Sequence, residues 1–158
     1  MLKLRPWTAD LALLLARVTL GVVLIAHGAQ KLFSYGPAGT AESFAAMGVP
    51  APRVSALVAA VVELGGGAAL VLGAAVPVAG LLLLLDMIGA LVLVHAPHGV
   101  FVENGGFELV AALGAGALLL VVAGAGRFSV DHLVGQRRGT RGSTTGAAPA
   151  DRSSVSAR

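Results

Sequence analysis

Four long apolar runs, at about residues 10–33, 54–75, 78–96 and 107–126, constrain what this chain can fold into, and each carries at least one ionisable residue. At a rise of about 1.5 Å per residue, about 20 residues of helix cross a hydrocarbon core of about 30 Å. Backbone polar groups inside that core must be satisfied within the segment, so the runs are expected to be helices. The 158 residues are 56% hydrophobic and 12% charged, with mean hydropathy +0.87. A soluble domain of that composition would lack the polar surface needed to stay dissolved. The expected fold class is all-α, an integral membrane four-helix bundle in contact with the lipid bilayer.

Charge sets the expected topology. The net charge is +3 and the isoelectric point about 10.2, yet the basic residues gather at the two ends rather than on one face, which excludes nucleic acid as the partner. Lys3, Arg5, Arg127, Arg137, Arg138, Arg141, Arg152 and Arg158 fall on one side of four spans, against Lys31 and Arg53 on the other. The positive-inside bias then places both termini in the cytoplasm. Lys3 and Arg5 before an apolar run resemble a secretory signal, but Arg17 within the run and the lack of a small-residue cleavage site favour an uncleaved first span. Residues 1–9 read as a cytoplasmic N-terminus, 10–134 as the membrane domain and 135–158 as a flexible basic cytoplasmic tail. Trp7, Phe33 and Tyr35 are placed as interfacial anchors.

The first span carries its polar groups in a stripe. At about 100° per residue, Arg17, Leu20, Gly21, Leu24, His27, Gly28 and Lys31 share one face, which should look into protein or water while the rest meets lipid. Residues 34–52 read as a loop with a short helix near 41–47. In the second span Ala56, Ala59, Gly66, Gly67, Leu70 and Ala74 share the face of Glu63, and Gly65, Ala69 and Gly73 form a ridge of small residues suited to close helix approach. Pro77 marks a turn. In the third span Ala79, Leu82, Gly89, Ala90 and Leu93 share the face of Asp86, with His95 roughly opposite on an ideal helix.

Counting from the span ends puts Arg17, Glu63 and Asp86 within about 5 Å of one depth. A lone intramembrane charge is costly, so the three are expected to form one polar cluster. Two readings of it stand side by side: a clasp that fixes helix register, or a proton or ligand site. A second group, His27, Lys31, His95 and Glu108, with His98 and Glu103 nearby, gathers towards the outer face. Its histidines serve either as interfacial hydrogen-bonding groups or as a polar mouth for a quinone head group. Pro97 between His95 and His98 argues against a metal site, and none is expected. The chain has no cysteine, so it holds no disulfide or dithiol relay of its own.

The segment Arg17-Val-Thr-Leu-Gly21 followed by His27-Gly28-Ala-Gln-Lys31-Leu-Phe33 resembles the first-helix signature of the DoxX family of small bacterial and archaeal membrane proteins. The likeness continues through Glu63 with Gly65 to Gly67 and Gly73, the third span ending at His95, and Gly124-Ala-Gly126-Arg127-Phe-Ser-Val-Asp131, so that it covers about Leu11 to Val134. The resemblance implies a four-helix membrane bundle in the bacterial cytoplasmic membrane. It also implies a link to the small subunit of thiosulfate:quinone oxidoreductase and to membrane oxidoreductase complexes that work with soluble redox enzymes. It transfers no catalytic set and firmly implies no cofactor; a bound quinone is the one candidate. Three functions remain open: a membrane subunit of a quinone-linked oxidoreductase, a non-catalytic scaffold for soluble redox partners, and a small proton-coupled carrier.

Overall fold

The computed structural model describes residues 6–143, and among them every regular element is helical. Helix α1 spans Pro6–Ala29 and continues through a π-turn at Gln30–Ser34. Helix α2 is Gly36–Ala46, α3 is Pro52–Leu72 and α4 is Val76–Ala90. A π-turn at Leu91–His95 and a 3₁₀ turn at Ala96–His98 extend α4. Helix α5 is Glu108–Ala123 and α6 is Val130–Ser143. Among the described residues, three helical segments are long and apolar enough to cross a membrane: Trp7–Ser34, Pro52–Leu72 and Val76–His98. Helix α5 is apolar but shorter, with 16 residues, or about 24 Å of rise.

Several boundaries differ from the sequence reading. The first helix already includes Pro6, ahead of the expected start near 10. Pro77 lies in the first turn of α4, where its missing N–H is not needed, and the reversal is made by Gly73 and Ala75, both with positive φ (69° and 48°). Most of the expected 34–52 loop is α2. Helix α5 stops at Ala123 because Gly124 and Gly126 adopt positive φ. The tail expected from Gly135 is helical as far as Ser143, and residues 144–158 lie outside the described residues.

Helix α1 packs against α3, α3 against α4 and α4 against α5, while α2 lies over α3 and the π-turn of α1. The α1 stripe is the packed face: Arg17, Gly21, Leu24 and Gly28 are all buried. Backbone meets backbone where glycine allows it. A Cβ on Gly21 would stand 2.6 Å from the carbonyl oxygen of Gly67, and one on Gly28 would stand 2.6 Å from the amide of Leu64 and 2.8 Å from the carbonyl of Ala60. On α3 the close contacts run through Gly66, against Leu83 of α4, and Gly67, against α1, whereas Gly65 faces open space. The expected Gly65, Ala69, Gly73 ridge is therefore one residue out of phase at its start. Leu24, Leu70, Val76, Leu83, Ala117 and Leu120 are among the residues of the core between these helices. Outside it, Val22, Leu57, Val61, Leu81, Leu119 and Val122 are exposed. A belt of bare aliphatic side chains around the long helices is a lipid-facing surface.

Polar side chains tie the end where α1 begins. The two Asp131 carboxylate oxygens accept the backbone N–H groups of Ala75 (2.7 Å) and Val76 (2.9 Å), capping the start of α4 from 55 residues further on. Asp10 accepts the N–H of Arg127 at 2.9 Å. Ser129 Oγ accepts the N–H of His132 and so starts α6.

Candidate functional site

Close approach of α1 and α3 brings two charges together. Gly28 seats α1 on the α3 backbone, and about one helical turn further on, Lys31 Nζ donates to Glu63 Oε2 at 2.6 Å. The pair is mostly withdrawn from solvent: the Lys31 and Glu63 side chains are 19% and 6% exposed. The Lys31 carbonyl also accepts a hydrogen bond from the buried Thr40 hydroxyl at 2.8 Å, which holds α2 over the π-turn.

The pair lies on the wall of a cavity of about 670 Å³, to which α1, α3, α4 and α5 and the segment from Phe44 to Val49 contribute. Five ionisable side chains line it: His27, Lys31, Glu63, Asp86 and His95. The rest of the wall is mainly aliphatic, including Val58, Val62, Leu82, Leu85, Leu93 and Leu113. Asp86 lies within electrostatic reach of both Glu63 and Lys31, yet no described side chain or backbone group hydrogen-bonds to its carboxyl. It therefore presents an acceptor, or when protonated a donor, to whatever enters the cavity.

The two histidines are oriented by backbone carbonyls. His27 Nδ1 donates to Val23 O at 2.9 Å and His95 Nδ1 to Gly105 O at 2.7 Å. A carbonyl only accepts, so each Nδ1 carries a proton and each Nε2 is left for another partner. His95 reaches the cavity because of the π-turn at Leu91–His95. On an ideal α-helix, nine residues put His95 about 180° from Asp86; one inserted residue removes about 100° of that and swings it towards the same side.

The sequence reading divided these residues into a mid-membrane group and an outer group, and the structure divides them differently. Glu63 and Asp86 share the cavity with His27, Lys31 and His95, whereas Arg17 and Glu108 lie elsewhere. Arg17 is fully buried and donates from Nη1 to Leu70 O (3.0 Å) and from Nη2 to Phe128 O (2.5 Å), with its Nε–H unpaired. Depth counted from helix ends misplaces it because α1 with its π-turn is much longer than α3. Register is set instead by the Gly21–Gly67 contact, which leaves Arg17 near the C-terminal end of α3, about 10 Å along the helix from Glu63. Glu108 Oε1 accepts the N–H of Val102 at 2.8 Å and so braces the loop before α5. His98 turns back on Val94 O.

The Lys31–Glu63 pair itself was not anticipated. Its signal was present in the placement of Gly28 and Lys31 on one stripe and Glu63 beside a glycine run, but it needed the helix register to be read. The contribution of Phe44, Met47 and Val49 from α2 and beyond had no sequence signal. Among the described residues no three His, Asp or Glu side chains converge as a metal site would require.

A family model described as DoxX matches residues 12–96, more than half of the chain. The chain belongs to the DoxX family. The matched region contains all five ionisable residues of the DoxX chain's cavity and ends before α5. The inner membrane protein YqjF of Escherichia coli (strain K12) is 30% identical over 133 residues, covering 81% of this chain and 95% of that protein. The putative oxidoreductase CatD of Bacillus subtilis (strain 168) is 35% identical over 101 residues, covering 63% of this chain and 70% of that protein. No solved structure matches the chain significantly.

Proposed function

We propose that this DoxX protein is the membrane subunit of an oxidoreductase complex and that its cavity receives the head group of a quinone. The observation that carries the reading is the composition of the cavity wall: aliphatic over most of its area, with His27, Lys31, Glu63, Asp86 and His95 as its ionisable groups. Small-molecule sites are commonly apolar enclosures with a few convergent polar groups that fix orientation. A volume of about 670 Å³ accommodates a substituted aromatic ring. The name of CatD supports the redox assignment by family likeness.

In this reading Lys31 and the Nε2 positions of His27 and His95 orient ring oxygens, and Asp86 exchanges a proton with one of them. A bound quinone would supply two-electron, two-proton chemistry. The electrons come from a soluble redox partner, since the chain has no cysteine with which to relay them. Helix α5 completes a four-span bundle in the bacterial cytoplasmic membrane, with both termini in the cytoplasm. The excess of arginine and lysine at the chain ends supports that orientation.

The test uses full-length protein in nanodiscs taken directly from native membrane, extracted with solvent and assayed for quinones by mass spectrometry. Wild type should carry quinone near stoichiometry. A variant with Asp86→Leu and His95→Leu, shown by thermal unfolding to be folded, should lose it. Equal content in the two proteins, or none above the lipid background in wild type, overturns the reading.

A further inference from the structure

We infer that the cavity is loaded sideways from the bilayer, and that its ligand carries a long apolar tail which leaves through the flank between α3 and α4. This rests on the quinone reading for the head group and specifies the ligand class as lipid-tailed rather than water-soluble.

The walls of the cavity differ in what stands outside them. At the end beyond the α1 π-turn, the lining includes Phe44, Met47 and Val49, and α2 is pinned there by the Thr40–Lys31 hydrogen bond and the burial of Val49. Apolar side chains cover that end, with Val49 buried, Phe44 half-buried and Met47 43% exposed. On the α3–α4 flank the lining residues Val58, Leu82 and Leu85 are 53%, 48% and 56% exposed. They belong at once to the cavity wall and to the lipid-facing surface of two membrane-spanning segments. The two helices touch closely where Gly66 takes the Leu83 side chain, and Val58 lies about two turns of α3 further from their connecting turn. Asp86 follows Leu85 in the chain, so a head group in contact with its carboxyl sits one residue from the hydrocarbon boundary. An apolar tail attached to that head meets aliphatic surface along Leu85 and Val58, and its exit there exposes no polar group to lipid.

The experiment uses full-length protein in nanodiscs and two photoreactive benzoquinones that share one long isoprenoid tail. One carries a diazirine on the ring and the other carries it on the first tail unit. Adducts are mapped by mass spectrometry with and without excess unlabelled tailed quinone. The ring probe should mark cavity residues, and the tail probe should mark Val58, Leu82 or Leu85, both displaced by competitor. In a folded Val58→Trp, Leu85→Trp variant, displaceable tail labelling should fall at least several-fold. Displaceable ring labelling with the tail adducts at the α2 end or along α1 and α5 overturns lateral loading and leaves the quinone reading standing. So does tail labelling unchanged in the tryptophan variant. Absence of displaceable labelling by either probe overturns both.

Discussion

Lys31 Nζ lies 2.6 Å from Glu63 Oε2 across the α1–α3 contact, and the distance is decided by a residue with no side chain. With any Cβ at Gly28, the Leu64 amide and Ala60 carbonyl would be in collision, and the helices would part at the level from which Lys31 reaches over. The ion pair and the cavity it borders are consequences of backbone packing.

Gly28→Leu is therefore expected to lower stability by about 1–3 kcal/mol, the usual cost of overpacking, and to disturb the cavity at the same time. Gly65→Ala, one residue after Leu64 on α3 but facing open space, should cost nothing. Thermal unfolding in nanodiscs checks both. A Gly28→Leu protein as stable as wild type would mean that the α1–α3 approach is looser than the structure has it.

Removing one partner of the ion pair should cost more than removing both. Lys31→Met leaves Glu63, which is 4% exposed, as an uncompensated charge. Breaking buried pairs in this way costs about 3–5 kcal/mol, and the residual exposure of Lys31 places the expected loss at the lower end of that range. Adding Glu63→Leu should recover most of it, because the replaced pair no longer has to be desolvated. The signature is a double variant more stable than Lys31→Met alone, read from reversible unfolding in mixed micelles.

Much of this fold was legible in the sequence, and for identifiable reasons. Apolar run length gave the long helices, and helical periodicity gave their packed faces: Arg17, Gly21, Leu24 and Gly28 on α1, and Leu82, Gly89, Ala90 and Leu93 beside Asp86 on α4 all turn inward or line the cavity. Relative depth was not legible. It depends on where two helices cross, and the Gly21–Gly67 contact is a pairwise fact that no single run reveals. Nor was His95 placed correctly by a periodicity that holds only for an uninterrupted α-helix, since the π-turn before it changes the phase. The caps at Asp131 and Asp10 join segments more than 50 residues apart; local spacing carries no trace of them.

At the turn between α3 and α4, Ala75 holds a left-handed conformation (φ 48°) that costs a non-glycine residue about 1–2 kcal/mol. The two carboxylate oxygens of Asp131, one on each of the Ala75 and Val76 amides, offset it. Asp131→Asn keeps one acceptor oxygen and should lose about 1 kcal/mol, as for a helix cap. Asp131→Ala should lose more. Hydrogen exchange at the Ala75 and Val76 amides is the direct measurement: faster exchange in Asp131→Asn at one amide and in Asp131→Ala at both is the expected pattern.

Arg17 provides the sharpest separation between structure and function, because its guanidinium bridges two carbonyls, Leu70 O on α3 and Phe128 O before α6, away from the cavity. Arg17→Leu strands both carbonyls and should destabilise by about 3–6 kcal/mol, taking each charge-assisted hydrogen bond at its usual worth. Arg17→Lys should rescue little of this. An ammonium is a single point, and two carbonyls from different segments need the planar fork to be reached together. Quinone content per folded molecule should be unchanged in either variant, since neither touches the Lys31, Glu63 and Asp86 wall. If Arg17→Lys matched wild type in unfolding, the fork would be dispensable. If Arg17→Leu stayed folded but lost quinone, Arg17 would belong to the ligand site, as the level-depth reading of the sequence has it, rather than to the frame that holds α3 and α6 together.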